Sequence, residues 1–225
     1  FFFKLRHLRR CWRYRLTSEP TSLKWLFGLE MNGKTVLDIG AHRGIYSYWM
    51  SKAVGAQGSV FAFEPQPECV AHLEKVKTEF QLTNLEIIPQ GLSEAPGTMP
   101  LWREYPESGS SSMEFSVKAK DGDYEAITTS VTTLDDFFLS KDVHPALIKC
   151  DVEGHELSVF LGAKLLLEKY HPDILFECHD RQAQEGHAFA FLEDLGYRGY
   201  FYESGGKHNS AEFDKVRYSK PSRTY

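Results

Sequence analysis

Short apolar runs rich in β-branched and aromatic residues alternate with helical segments along most of this 225-residue sequence. Thr35–Ile39, Ser59–Phe63 and Leu85–Ile88 are typical of buried parallel strands, because they are short, mostly apolar and followed by turn residues. The segments between them, Gly44–Ala53 and Glu68–Phe80, carry apolar residues at helical spacing. Strand, helix, strand, helix and strand in this order indicate a parallel sheet with crossover helices. This pattern restricts the chain to an α/β fold.

The second half of the chain continues the alternation after an interruption. Pro96–Asp123 is rich in Ser, Gly, Pro and charged residues, which predicts a long loop or hairpin insertion, a lid, near residues 96–125. Further strands are predicted at Ala126–Thr132, Ala146–Asp151, Asp173–Cys178, Arg198–Tyr202 and Lys215–Tyr218, and helices at Gly154–Tyr170 and Glu185–Leu195. We expect a doubly wound, mostly parallel seven-stranded sheet with an antiparallel C-terminal strand after the Gly205-Gly206 turn.

The N-terminal segment Phe1–Leu16 differs from the rest of the chain, since it has six Lys and Arg residues and no acidic residue. One hypothesis is a basic amphipathic helix that contacts an anionic membrane peripherally or docks on a partner. The other, which we favour, is an ordinary first helix whose aromatic side chains pack on the domain while its arginines face water. We therefore expect residues 1–30 to form a basic, aromatic helical segment beside one larger domain at 31–225.

The overall composition excludes some classes of function. A net charge of −5 gives no general attraction to nucleic acid, so no DNA partner is expected. No stretch approaches the roughly 20 apolar residues of a membrane-spanning helix. The four cysteines lack C-x-x-C and zinc spacing, and reduced thiols in a cytoplasmic protein are the simplest interpretation. The pattern does not indicate an oligomeric state.

The loop after the first predicted strand, Asp38-Ile-Gly-Ala-His-Arg-Gly44, is a candidate cofactor loop. In an open α/β sheet the ligand lies outside the carboxyl ends of the strands. Gly40 permits a tight turn and close approach of a ligand, and Gly44 lets the next helix pack near the strand. The loop is not the G-x-G-x-x-G of dinucleotide-binding proteins, because Ala41 and His42 follow Gly40. Packing alone is an equally ordinary role for such a loop.

Glu64 ends the second predicted strand and is followed by Pro65. A carboxylate at this place can accept hydrogen bonds from both hydroxyls of a ribose, as in proteins that bind NAD. The alternative is a carboxylate that caps the following helix. The absence of G-x-G-x-x-G favours S-adenosylmethionine, because this cofactor has no pyrophosphate to bind.

Four segments of the sequence resemble the FkbM family of methyltransferases: Val36–Gly44, Phe63–Pro65, Ile148–Glu156 and Pro172–Glu177. The third, IKCDVEGHE, is the most specific, and it is followed by Leu161-Gly-Ala163. In the first segment, His42 and Arg43 replace the Asn–Ile-like pair that is usual in the family. Together these segments span about residues 35 to 180.

The resemblance implies a Rossmann-like class I methyltransferase domain, which suits the predicted antiparallel ending of the sheet. It also implies S-adenosyl-L-methionine as methyl donor, with a hydroxyl of a sugar or natural product as acceptor. A small-molecule or saccharide partner is therefore expected. The predicted cofactor-binding residues are Asp38, Gly40, Ala41, His42, Gly44, Glu64, Pro65, Gly91 and Asp151.

A cluster of polar residues follows the predicted strand at 146–151 and provides the candidate catalytic residues. An alcohol is a poor nucleophile until its proton passes to a base or a metal lowers its pKa. Asp151 is the first candidate for this base, with Glu153 and His155 beside it and Glu177 and His179 at the end of the next strand. Carboxylates with an imidazole can also bind a divalent metal, but no ligand spacing requires one and no metal ligand is predicted.

Structural roles are the alternative for several of these residues. Glu153 and Glu156 can stabilise the N-terminus of the following helix, and His155 and His179 can be structural histidines. Pro106–Ser116 is either an acceptor-covering lid or a surface loop. The leading hypothesis is O-methylation of a sugar or natural product. The alternatives are methylation of RNA or protein, which the basic N-terminus favours, and a non-catalytic domain that binds S-adenosylmethionine.

Overall fold

The fold was analysed in a computed structural model that describes residues 2–114, 124–141, 143–177, 187–203 and 206–210. The chain divides into two compact units, residues 1–178 and 179–225. The first unit contains the predicted parallel sheet. In the second unit, the described elements are helix α8 (His187–Asp194) and an antiparallel hairpin of β9 (Tyr200–Glu203) and β10 (Gly206–Asn209).

Five parallel strands form the central sheet in the order β3-β2-β1-β7-β8. They are β1 (Thr35–Ile39), β2 (Ser59–Phe63), β3 (Leu85–Ile88), β7 (Pro145–Cys150) and β8 (Asp173–Phe176). The strand order changes direction between β1 and β7, which places the ligand crevice beside the ends of these two strands. The α/β class and the parallel core are therefore confirmed.

The predicted count of seven strands is wrong, because the described central sheet has five. The strands β4 (Gly91–Leu92), β5 (Gly97–Arg103) and β6 (Glu125–Thr132) pair with one another in a separate three-stranded sheet. β5 and β6 are antiparallel. Local sequence indicates a strand but not its partner, which depends on contacts distant in the chain. The strand predicted at Lys215–Tyr218 lies outside the described residues.

Helices α3 (Ile45–Val54) and α4 (Pro67–Phe80) follow β1 and β2, as predicted. A short helix, α5 (Leu134–Phe138), begins at Thr133, whose hydroxyl accepts a hydrogen bond from the Asp136 amide at 2.9 Å. The main apolar core lies between the sheet, α3, α4 and the N-terminal helices. It includes Leu23, Val36, Met50, Val60, Leu73, Val76 and Leu147, all fully buried.

The single helix predicted at Gly154–Tyr170 is wrong, because the structure has two helices there, α6 (Glu156–Leu161) and α7 (Lys164–Tyr170). The break is at Gly162, where a Cβ would overlap the carbonyl oxygen of Ser93. Asp135 then caps α7 by accepting from the Leu165 and Leu166 amides at 3.0 and 2.8 Å. Leu161 and Leu165, on either side of the break, are exposed.

The N-terminal segment forms α1 (Phe2–Arg13), a π-helical turn (Tyr14–Ser18) and α2 (Pro20–Phe27). One face of α1 packs on the domain, with Cys11 fully buried, His7 nearly so and the Trp12 ring 5.4 Å from that of Trp49. The favoured hypothesis of a packed first helix is thus correct for this face. Across the described part of the chain, no helix is both long and apolar enough to cross a membrane. Cys11, Cys69 and Cys150 are free and buried, and Cys178 lies outside the described residues.

Candidate active site

Two cavities lie at the carboxyl ends of the central strands, and Asp151 lines both. The first cavity is lined by Ile39, Gly40, His42, Phe63, Glu64, Pro65, Gln66, Gln90, Gly91, Leu92, Leu101, Ser108, Gly109, Ser111, Met113, Asp151, Val152, Glu153 and His155. The second cavity is lined by Glu19, Ser22, Tyr46, Lys149, Cys150, Asp151, Leu175, Phe176 and Glu177. Their position at the switch in strand order is where α/β proteins bind ligands.

Gly40 brings the loop after β1 into direct contact with the loop after β7. Its φ of +72° is in the left-handed region, and a Cβ there would overlap the carbonyl oxygen of Asp151. The amides of Gly40 and Ala41 both donate to the Phe63 carbonyl, at 3.0 and 3.1 Å. The loop is therefore tied to both neighbouring strands, and Gly40 determines how close Asp151 can approach it.

Replacing Gly40 by alanine will lower the free energy of unfolding by about 2–5 kcal/mol, as the sum of left-handed strain and backbone overlap. Urea unfolding measures this loss. Gly33 is the matched control, because its φ is +73° and an added Cβ would meet no atom within 4 Å. Gly33→Ala will therefore lose only the strain, about 1–2 kcal/mol. Equal losses in the two variants would contradict the overlap.

Glu64 is held in a fixed orientation at the wall of the first cavity. It is only 3% exposed. The His42 amide donates to its Oε2 at 2.7 Å, and the Gln66 amide donates to its Oε1 at 2.9 Å. Burial raises the pKa of Glu64 to about 7, although these two hydrogen bonds oppose the shift. The carboxyl group is thus oriented before any ligand binds.

The segment at 104–114 crosses beside the first cavity and is bonded to three loops. The Glu107 carboxylate accepts from Arg43 at 2.6 Å, and the Glu107 carbonyl lies 3.0 Å from His42 Nε2. Gln66 Nε2 donates to the Ser108 carbonyl at 3.1 Å, and the Ser112 hydroxyl donates to the Glu153 carbonyl at 2.6 Å. The Ser-rich segment predicted as an acceptor lid therefore lies, where it is described, at the first cavity and does not line the second.

Backbone strain is concentrated around the same cavity. Five described residues other than glycine have positive φ. Gln81 and His171 end helices, whereas His42, Glu107 and Glu153 belong to the loops and the segment just described. Each such residue costs about 1–3 kcal/mol and persists only where its surroundings hold it, which is typical of ligand sites.

Lys149 lines the second cavity and joins the first loop to Asp151. Its side chain is 8% exposed, and Nζ lies 3.2 Å from Asp151 Oδ2, 3.8 Å from Asp38 Oδ1 and 3.4 Å from the Gly40 carbonyl. Burial alone would lower the pKa of Lys149, but the two carboxylates raise it above its ordinary value. Asp38 is fully buried and accepts from the Ser47 hydroxyl at 2.5 Å, and burial raises its pKa.

The other predicted catalytic residues are dispersed. Glu153 lines the first cavity and Glu177 the second. His155 also lines the first cavity, and its ring nitrogens are 2.8 Å from Glu114 Oε1 and 3.0 Å from Ser93 Oγ. His179 lies outside the described residues. Glu156, for which a structural role at the start of the following helix was predicted, accepts hydrogen bonds from the Val152 and Gly154 amides. These bonds order the loop after β7.

The predicted cofactor-binding residues divide into two groups. Gly40, His42, Glu64, Pro65, Gly91 and Asp151 line the first cavity, whereas Asp38, Ala41 and Gly44 line neither cavity. Sequence reasoning missed Gln66, Gln90 and Met113 in the first cavity and Glu19, Ser22 and Tyr46 in the second. Gln66 directly follows the Glu64-Pro65 pair, and this position could have identified it as a residue of the first cavity. Glu19 and Tyr46 gave none, since tertiary packing brings them to the ends of β7 and β8.

No group of three His, Cys, Asp or Glu side chains that could hold a metal ion occurs among the described residues. The first cavity offers polar groups that suit the adenosine part of S-adenosylmethionine. Glu64 presents a fixed carboxylate, and Oε1 of buried Gln66 has no hydrogen-bond partner within the described ranges. An orphaned buried acceptor of this kind is commonly satisfied by a ligand. The residues present therefore fit this cofactor.

Fold and site together define a class I methyltransferase. The sequence matches the methyltransferase FkbM domain over residues 38–199, and the chain belongs to this family of S-adenosylmethionine-dependent methyltransferases. The expectation drawn from the four sequence segments is thus confirmed.

The chain is also similar to two individual proteins, one in sequence and one in fold. The hexuronic acid methyltransferase AglP of Haloferax volcanii is 27% identical over 186 residues, which cover 79% of this chain and 70% of AglP. The crystal structure of methyltransferase FkbM from Methylobacillus flagellatus KT is similar with a TM-score of 0.57 at 16% identity. The match covers 91% of this chain but only 52% of that one, so this chain spans about half its length. This second likeness concerns the fold alone.

Affinity for S-adenosylmethionine or its demethylated product will fall as the pH drops through 7. A carboxyl group that accepts from both ribose hydroxyls, the role predicted for Glu64, must be ionised. Because the pKa of Glu64 is about 7, binding below this pH would have to displace a proton. Titration calorimetry will show Kd rising by up to about tenfold per pH unit below 7. Glu64→Gln will weaken binding and flatten this dependence, whereas exposed Glu74→Gln will not. An unchanged slope in Glu64→Gln would contradict the assignment.

Proposed function

We propose that this protein transfers the methyl group of S-adenosylmethionine to a hydroxyl oxygen of a saccharide. The single observation that carries this proposal is the position of Asp151 in the walls of both cavities. A methyl donor in the first cavity and an acceptor in the second would meet at this side chain. Transfer requires such a meeting, because the acceptor oxygen must approach the methyl carbon in line.

The first cavity is the proposed site of the methyl donor. Glu64 would hold the ribose hydroxyls, and Gln66 offers an amide oxygen beside it. When bound, the cofactor supplies an electrophilic methyl group on a sulfonium. The 104–114 segment would cover this site, since it is already bonded to the loops on both sides. Such a cover excludes water from the reacting groups.

Asp151 is the proposed general base. Lys149 Nζ donates to Asp151 Oδ2 at 3.2 Å, so Oδ1 is the oxygen that would accept the proton of the acceptor hydroxyl. The side chain is 30% exposed, so an acceptor can reach it. Removal of the hydroxyl proton makes the oxygen nucleophilic.

The lining of the second cavity supports a polyhydroxylated acceptor. Glu19, Ser22 and Glu177 contribute oxygen atoms, and the Tyr46 hydroxyl donates to Glu19 at 2.5 Å. Such groups recognise sugar hydroxyls through hydrogen bonds, whereas the loop after β7 (Asp151-Val-Glu-Gly-His-Glu156) lacks the prolines and aromatic residue common in enzymes that methylate nucleobase amines. The relative AglP is a hexuronic acid methyltransferase, and this likeness also supports a saccharide acceptor.

The test is a transfer assay with isotopically labelled S-adenosylmethionine and three groups of acceptors: neutral and acidic saccharides, RNA, and protein. We expect label only in saccharides, on oxygen, as located by mass spectrometry and NMR. A Glu64→Ala variant, which should not bind the methyl donor, is the blank. Label in RNA or protein and in no saccharide would overturn the acceptor class. Binding of the methyl donor with no transfer to any acceptor would favour the non-catalytic alternative.

A further inference from the structure

The outward face of the N-terminal helix is apolar and solvent-exposed. Along α1 and the π-helical turn, Phe2, Leu5, Trp12 and Leu16 are 87%, 50%, 46% and 68% exposed. They occur at helical spacing along one side, since positions three or four residues apart, and their multiples, share a face. Four large apolar side chains in one exposed row are more than the scattered surface residues of an ordinary helix.

Basic residues lie beside this row. Arg6, Arg9 and Arg13 are exposed on the same side of the segment. No acidic residue occurs between positions 1 and 18, whereas the whole chain has a net charge of −5. The positive charge is therefore local to this face, and it does not reflect the composition of the protein.

The opposite face of α1 is fixed to the domain. Cys11 is fully buried, and the Phe3 ring lies 5.3 Å from His72. Trp12 lies at the border of the two faces, because its ring meets Trp49 edge-on at 5.4 Å while 46% of the residue stays exposed. Arg15 stacks at 4.5 Å from Phe27 and 5.1 Å from Trp49. The helix is thus already folded and oriented, so docking through its outward face would require no ordering of the segment.

We propose that this outward face, formed by Phe2, Leu5, Trp12 and Leu16 with Arg6, Arg9 and Arg13, docks on an anionic lipid surface. Apolar side chains flanked by arginines match the boundary between acyl chains and negatively charged headgroups. Trp12 is of the residue type that favours this boundary. A lipid surface suits an open row on a convex helix, because it needs no shaped groove. The docking is independent of the acceptor proposed above.

Vesicle flotation of the full chain tests the proposal. We expect binding to vesicles of phosphatidylcholine with roughly 30% phosphatidylserine, little binding to phosphatidylcholine alone, and loss of binding at high salt. Each arginine near such a surface contributes about fivefold in affinity, so Arg6→Ser, Arg9→Ser and Arg13→Ser together will weaken binding by roughly 100-fold. A control with Lys34→Ser, Lys164→Ser and Lys169→Ser removes the same charge from other exposed sites and will bind as the wild type does.

A second variant separates insertion from simple charge attraction. Leu5→Ser, Trp12→Ser and Leu16→Ser together keep every charge and will also abolish binding, and brominated lipids will quench tryptophan fluorescence only in proteins that retain Trp12. Circular dichroism and thermal unfolding establish that both variants remain folded. The proposal is overturned if the wild type ignores anionic vesicles, if the lysine control loses as much binding, or if the apolar variant binds unchanged. Retention on polyglutamate without vesicle binding would instead indicate an acidic protein partner.

Discussion

Replacing Asp151 by asparagine will lower kcat for hydroxyl methylation by about 10²- to 10⁴-fold, the usual contribution of a general base. The substitution keeps the size of the side chain and removes its ability to accept a proton. The Kd for S-adenosylmethionine will change little, because Glu64 and not Asp151 holds the ribose in the proposed site. Steady-state kinetics with an acceptor identified in the transfer assay will measure kcat, and calorimetry will measure the Kd of the methyl donor.

Asp136→Asn is the control for this prediction. Asp136 is an exposed carboxylate in the first turn of α5 and lines neither cavity. Its replacement will leave kcat unchanged. A loss of kcat of less than about twofold in Asp151→Asn would be far smaller than the loss expected for a general base, and it would show that Asp151 does not accept the proton. If instead the Kd of the methyl donor rises and kcat is unchanged, Asp151 belongs to cofactor binding alone.

Replacing Lys149 by methionine will lower the free energy of unfolding by about 3–5 kcal/mol, the usual cost of removing one partner of a buried ion pair. The variant leaves Asp38 fully buried without the opposing charge 3.8 Å away. It also frees Asp151 from its 3.2 Å contact, so kcat will fall as well. Urea unfolding at several pH values measures the stability.

The pH dependence of this variant identifies Asp38 as the cause. Burial raises the pKa of Asp38 above its ordinary value, and loss of Lys149 removes the largest opposing influence. A carboxyl group whose pKa is raised on folding stabilises the protein at low pH and loses that contribution as the pH rises through the folded-state pKa. The deficit of Lys149→Met will therefore be smaller at pH 5 than at pH 8. Adding Asp38→Asn will restore most of the stability, and exposed Lys164→Met will cost less than about 0.5 kcal/mol.

The main positions of the first cavity were predictable from local sequence. Gly40 and Glu64 each follow a short apolar strand, and the carboxyl ends of neighbouring parallel strands meet at one edge of the sheet. Gly40 and Glu64 are therefore expected to lie close together, independently of how the rest of the chain folds. Asp151 was predicted on the same ground, since Ala146–Asp151 had the same pattern.

A pair of Lys149 with a neighbouring carboxylate was predictable, and Asp151 is that partner. The long-range contacts of Lys149, His155 and the 104–114 segment were not predictable in this way. Lys149 contacts Asp38 and Gly40 across more than 100 positions of sequence. The contacts of His155 with Glu114 and Ser93 join it to residues 41 and 62 positions away in the sequence. The break of the predicted helix at Gly162 depends on the Ser93 carbonyl, which belongs to a distant part of the sequence. Each of these features depends on a contact with a residue that is distant in sequence, and only tertiary packing brings the two residues together.

The sequence by itself determined the α/β class, the parallel core, the family and the strand ends at which ligand groups gather, because all of these follow from short-range periodicity and local motifs. Only the tertiary structure decided that five strands form the central sheet, that Asp151 lines two cavities, and that Glu19 and Tyr46 complete the second. Those features arise where loops distant in sequence are packed together, and their burial sets the charge interactions of Lys149, Asp38 and Glu64.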